Sequence, residues 1–140
     1  MYSDSLYRVS FKCVVLGDDK KILAVREHGR SSWDIPGGGI EYGETIDESI
    51  KRELFEEVGY ENAFTYTVLT IHDPVKLLTR DVWQIKVVIL LSPENYTFKV
   101  GAEADDVAFI DPVQFLDSEH ESERRMIDYV RLASGTDVDS

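Results

Sequence analysis

Apolar and polar positions alternate along residues 6–16, with Val9, Phe11, Cys13 and Val15 on one side, a period of two that predicts a strand. Gly17-Asp18-Asp19-Lys20 supplies turn chemistry before a second apolar run at 22–25, so the two segments read as a hairpin. The stretch Trp33-Asp34-Ile35-Pro36-Gly37-Gly38-Gly39 cannot be helical, because Pro36 lacks a donor and consecutive glycines favour special backbone angles. Such a segment suits a backbone that a ligand approaches closely. Thr45 with Glu48 forms a capping box and Gly59 supplies a stop, which predicts a helix over residues 45–58. Residues 63–71 and 82–91 predict strands, with Pro74 and the polar segment 76–81 as a loop between them. A short strand at 107–110 ends at Asp111-Pro112, and Met126, Ile127, Val130 and Ala133 recur at helical spacing over 121–133. Residues 135–140 read as a frayed acidic tail. Mixed strands with at least two helices predict an α+β fold, a mixed sheet packed between helices in an α/β/α sandwich.

On the helix over 45–58, Ile46, Ile50, Leu54 and Val58 form one apolar stripe that must pack on the sheet. Glu57 falls at the edge of that stripe, with Glu53 and Glu56 further out on the same side. These pairs, i,i+4 and i,i+3, repel by roughly 0.2–0.5 kcal/mol each on an isolated helix. Glu57 also faces desolvation, which penalises a bare charge. A positive partner is called for, and a magnesium ion fits, being hard and prone to bridge carboxylates to phosphates. The plainer alternative is a charged helix surface with Arg52 pairing to Glu56.

Composition narrows the setting. A chain of 140 residues with 43% hydrophobic content suits one domain, residues 1–140. The formal net charge of -12 opposes nucleic-acid polymers and anionic lipid surfaces, but not small anions met by local arginines and divalent cations. The lone Cys13 lies in an apolar run and reads as a buried, inert thiol. The N-terminal MYSDSLYRVS lacks a signal pattern, and no apolar run approaches the roughly 20 residues that span a bilayer. The expectation is a cytoplasmic protein without a membrane partner, monomeric or homodimeric.

Residues 38–60, GGIEYGETIDESIKRELFEEVGY, resemble the box of the Nudix (MutT-like) hydrolases: glycine, five residues, glutamate, seven residues, then REUxEExGU with U bulky and apolar. Gly38, Glu44, Arg52, Glu53, Leu54, Glu56, Glu57 and Gly59 match; Tyr60 stands where an aliphatic residue is usual. The segment leading into the box and the order of strands and helices around it are similar too.

The resemblance implies a magnesium-dependent hydrolase, with manganese a possible substitute, that cleaves the diphosphate linkage of a small nucleotide such as a nucleoside triphosphate or ADP-ribose. It implies metal ligation by Glu56 and Glu57, a ligand or general-base role for Glu53, and a carbonyl ligand from Gly37. Arg52 orients the glutamates, Glu44 is an outer ligand or a structural charge, and Gly38 and Gly59 meet backbone requirements. Glu103, ahead of the 107–110 strand, is a further candidate for ligand or base. Arg26 and Arg80 are candidates to reach a phosphate, and Trp33 and Trp83 to stack on a base, although surface or packing roles compete for each. His28, His72 and His120 have no ligand partner at i,i+4 and read as solvent-exposed. The rival reading is a catalytically silent nucleotide-binding or interaction module on the same fold.

Overall fold

The computed structural model of the chain describes residues 5–135, so residues 136–140 of the expected acidic tail lie outside the described residues. In chain order the elements are β1 (Tyr7–Val14), β2 (Ile22–Glu27), β3 (Gly37–Gly39), α1 (Ile46–Val58), β4 (Phe64–Leu77), β5 (Val82–Pro93), β6 (Ala104–Ile110) and α2 (Glu121–Ser134). A four-stranded mixed sheet runs in the order β3-β1-β5-β4, with β1 and β5 parallel, beside a two-stranded sheet β2-β6. Alternation along β1 sends Phe11 and Cys13, with Val15 just beyond the strand, toward Ile50, Leu54 and Val58 of α1. Its other face carries Val14, which with Ile22 and Val88 packs against Met126 and Val130 of α2. Helices thus cover both sides, as the α/β/α expectation requires. The Cys13 thiol is fully buried, and that burial pushes its pKa up to about 12.

Three sequence expectations need correction. The expected β1–β2 hairpin reduces to a bridge between Leu16 and Ile22, because β3 and β5 already occupy both edges of β1. The expected loop around Pro74 and 76–81 is mostly strand: β4 continues to Leu77, and Pro74 sits at a bulge between His72 and Val75, where no ladder donor is needed. Ile46 is 45% exposed, so the buried stripe of α1 starts one turn later, at Ser49 and Ile50.

The capping box forms as expected. The Thr45 side chain accepts from Glu48 N–H, the Glu48 carboxylate accepts from Thr45 N–H, and Gly59 ends the helix at φ 60°. Tyr60 is fully buried and stacks on Phe98 with ring centroids 5.1 Å apart, so the aromatic variant at this position fills the core.

The sheet register matters most for the site. Gly39, Ser10, Lys86 and His72 lie side by side across β3, β1, β5 and β4. This row faces α2, as does the next one outward, in which Arg8 donates to Gln84 at 3.1 Å. α2 closes over the apolar end of that face at Val14 and Val88 and leaves the polar end open as a cleft. β3 is held tightly against β1. A Cβ on Gly37, whose φ is 138°, would stand 2.0 Å from the Phe11 carbonyl oxygen. Gly37→Ala is therefore expected to cost at least about 2 kcal/mol of stability, a loss that urea denaturation measures.

Candidate active site

The acidic ridge forms where α1 meets the glycine strand. Glu57 is 4% exposed and Glu53 8%, while Glu56 is half-buried, the order expected from the helical wheel. The Glu57 carboxylate accepts from Gly37 N–H at 3.0 Å. Glu53 lies across from Gly38, where a Cβ would stand 2.5 Å from its Oε1. Gly38 is therefore required as much for Glu53 as for the strand.

Arg52 ties the ridge together. Its Nε and Nη2 donate to both oxygens of Glu44 at 2.7 and 3.0 Å, its Nη1 to Glu53 at 2.9 Å and Glu56 at 3.1 Å, and its Nη2 also to the Gly39 carbonyl at 3.1 Å. One planar guanidinium thus links three carboxylates and β3. Glu44, hydrogen-bonded by Arg52 and by Glu41 N–H, is held down at a pKa of about 2. Both of its oxygens accept from Arg52.

Burial drives the Glu57 carboxyl above the usual range, against the pull of the Lys12 ammonium and the Gly37 N–H. Lys12 is itself buried, which opposes its charge, yet Asp34 at 3.2 Å, Glu57 and Glu27 hold it above its ordinary value. Its ammonium also reaches the Gly37 carbonyl at 3.5 Å. Glu103 joins the ridge from the segment before β6. Its N–H donates to the Glu56 carbonyl at 2.9 Å, and partial burial together with Glu56 and Glu53 raises its pKa.

Two connected cavities open along the cleft. A recess of about 260 Å³ borders Gly37, Gly38 and Gly39, and a larger one of about 520 Å³ lies between α2 and the β4–β5 pair. They share Lys12, Asp34, Gln84, Lys86 and Ser122.

Arg26, Arg80, Trp33 and Trp83, the candidates for phosphate and base contact, do not line this cleft, whereas Gly38 does. Arg26 is drawn aside by Asp105 at 3.7 Å and by the Trp33 ring at 6.0 Å. Trp33 is pinned to α2, its N–H donating to Glu123 and its carbonyl accepting from Ser122. Arg80 sits in the turn closing the β4–β5 hairpin, and Trp83 is half exposed on β5.

The histidines also depart from simple solvent exposure. His72 lies within β4 and is half-buried against Arg125 and Tyr129, where burial first and then Arg125 and Lys86 lower its pKa. His28 is exposed, but its ring nitrogens meet Asp105 at 2.6 Å and the Ala102 carbonyl at 2.8 Å, and those bonds raise its pKa. His120 is the N-cap residue of α2. Lys12, Asp34 and Lys86 escaped the sequence reading. The signal available was a lysine in mid-strand among apolar neighbours.

The family model described as the NUDIX domain matches residues 6–130. The chain belongs to the Nudix family. Among curated relatives, an RNA pyrophosphohydrolase of Sodalis glossinidius (strain morsitans) is 44% identical over 59 residues, 42% of this chain and 34% of that protein. The match therefore spans about a third of the length of the relative. A MutT protein from Methanosarcina mazei Go1 superimposes with a TM-score of 0.72 at 18% identity, covering 97% of this chain and 99% of that one. An ADP-ribose pyrophosphatase from Streptococcus suis 89-1591 gives 0.68 at 20% identity, covering 96% of each. At these identities the structural likenesses establish the Nudix fold.

Nudix proteins generally use divalent metal ions. Among the described residues no three His, Cys, Asp or Glu side chains converge as a ready-made ligand set, and Arg52 bridges Glu53 and Glu56. The donor chemistry nevertheless fits a hard cation. Every candidate is a carboxylate or carbonyl oxygen, the carboxylates destabilise one another, and Glu57 is buried at a site where its charge lacks sufficient compensation. No helix of the described residues is long and apolar enough to cross a membrane.

Proposed function

We propose that this Nudix chain is a magnesium-dependent pyrophosphohydrolase that cleaves the diphosphate linkage of a small nucleotide, a nucleoside triphosphate or a relative such as ADP-ribose, with manganese able to replace magnesium. The observation that carries the reading is the Glu53–Glu56–Glu57 ridge abutting the glycine strand, whose other side borders a cation-lined cleft. Glu56 and Glu57 would hold the cation, with Glu103 and the Gly37 carbonyl at hand. Such an ion supplies Lewis-acid polarisation of a phosphoryl oxygen and makes water more acidic.

The chain's own groups do the rest. Glu53, held by Arg52 and facing Gly38, accepts a proton from the attacking water. Arg52 fixes the carboxylates in place, and Gly38 leaves room for them beside the substrate. Lys12 brings positive charge to the floor of the cleft, where it neutralises developing phosphate charge. The larger cavity, lined by Ile35, Ile71, Val75 and Tyr129 among others, accommodates the nucleoside.

The curated relative acts on RNA by its name, whereas a net charge of -12 disfavours a polymer here. A panel of nucleoside triphosphates, ADP-ribose, dinucleoside polyphosphates and 5′-triphosphate RNA, assayed for phosphate and nucleoside monophosphate release, tests the proposal. The expected result is magnesium-dependent cleavage of small nucleotides ahead of RNA. Binding without magnesium-dependent release across the whole panel would instead establish the silent module, and a preference for RNA would overturn the small-substrate reading.

A further inference from the structure

The recess beside the glycine strand has a composition opposite to that of the whole molecule. Arg8, Lys12, Arg30 and Lys86 line it against only Glu27 and Asp34, in a chain of net charge -12. Two of these cations are paired within the protein, Lys12 with Asp34 at 3.2 Å and Arg30 with Glu27 at 3.7 Å. The other two have no carboxylate within ion-pair distance among the described residues. Arg8 donates to the neutral Gln84, and among the described residues the Lys86 ammonium has no hydrogen-bond partner.

Ser10 stands between them on the same face, adjacent to Lys86 in the parallel β1–β5 register and two residues from Arg8. Ser10 is 3% exposed, and among the described residues its hydroxyl has no hydrogen-bond partner. A buried hydroxyl without a partner and a half-buried ammonium without a counter-ion are each unfavourable in the free protein. One anion with several acceptor oxygens relieves both. Lys86 feels the lack already, since burial, Lys12 and Arg125 lower its pKa despite Asp34 and Glu121.

The location selects the anion. Only the backbone of β3 separates this recess from the acidic ridge: a Cβ on Gly39 would collide with the Arg8 guanidinium on one side, and one on Gly38 with Glu53 on the other. A group held by Arg8, Ser10 and Lys86 would therefore lie one strand backbone away from the ridge.

We propose that Arg8, Ser10 and Lys86 form an anion subsite for a phosphoryl group in line with the cleaved diphosphate, so that the chain selects triphosphate substrates over diphosphate-linked ones such as ADP-ribose. The inference rests on the hydrolase reading above and deepens it. Two variants test it. Lys86→Met removes the unpaired charge. Ser10→Ala removes only the orphaned hydroxyl, and is expected to leave the free protein at least as stable as wild type.

Each variant is expected to lower the kcat/KM ratio of nucleoside triphosphate to ADP-ribose, by roughly 10- to 100-fold for Lys86→Met. Inorganic triphosphate without divalent cation is expected to raise the melting temperature of the wild type and to protect both variants far less. If Lys86→Met leaves the substrate ratio as it was, or if inorganic triphosphate protects the variants as fully as the wild type, the subsite is overturned while hydrolysis by the wild type still stands. If the wild type turns over neither substrate but shows the triphosphate protection that the variants lose, the subsite stands and the hydrolase reading falls.

Discussion

Glu53→Gln is expected to lower magnesium-supported turnover by roughly 100- to 10,000-fold, the range for loss of a positioned general base, without disturbing the fold. The amide is nearly isosteric with the carboxylate, so it retains the close approach to Gly38 and keeps an oxygen that can accept from Arg52 Nη1, now at 2.9 Å. What disappears is the negative charge and the capacity to take a proton. With Glu53 only 8% exposed, the loss of like-charge repulsion from Glu56 and Glu57 leaves stability equal or slightly improved. Steady-state kinetics and a urea titration on the same preparation separate the two effects. Turnover within tenfold of wild type would move the proton-accepting role to Glu103, whose raised pKa and contact with the Glu56 backbone make it the next carboxylate to replace.

The ridge was legible in the sequence because it is local. The spacing of Glu53, Glu56 and Glu57 on one helix, the Thr45–Glu48 box and the Gly59 stop are all set by residues within a few positions of one another, and helical geometry does the rest. The other half of the cleft was not legible, because it depends on partners far along the chain. Arg8, Ser10 and Lys12 alternate with Val9, Phe11 and Cys13, a pattern that fits an ordinary half-exposed strand equally well. Only the parallel pairing of β1 with β5, across a separation of 76 residues between Arg8 and Gln84, sets them beside Lys86. Only the position of α2 then turns that face into a cleft instead of open surface. Arg26, a better candidate by linear proximity to the glycine segment, is claimed instead by Asp105 and Trp33.

The same distinction explains the strands. Pro74 reads locally as a break, and it becomes compatible with β4 only because a bulge at His72/Val75 removes the need for its missing donor. The β1–β2 turn reads locally as a hairpin and fails as one because β3, three glycines with no side-chain pattern to announce a strand, takes the free edge of β1.

Glu57→Gln is expected to abolish most magnesium-dependent activity and at the same time to stabilise the cation-free protein, with a sign that depends on pH. In the wild type, burial raises the Glu57 pKa above the ordinary value of 4.5, and Lys12 and the Gly37 N–H compensate only in part. The folded state therefore holds this proton more tightly than the unfolded chain does. Stability from this group is complete below the unfolded value and is lost as pH rises toward the raised folded one. Glutamine does not titrate, so without divalent cation the melting temperature of Glu57→Gln should overtake that of the wild type progressively as pH rises above 4.5. A bound cation reverses the order, because it favours the ionised carboxylate and stabilises the native state by about 2.7 kcal/mol when present at 100 times its dissociation constant. Melting curves of both proteins from pH 5 to pH 9, with and without magnesium, measure all of this. A wild type that gains no more from magnesium than Glu57→Gln does would remove Glu57 from the cation site and leave its burial without a chemical purpose.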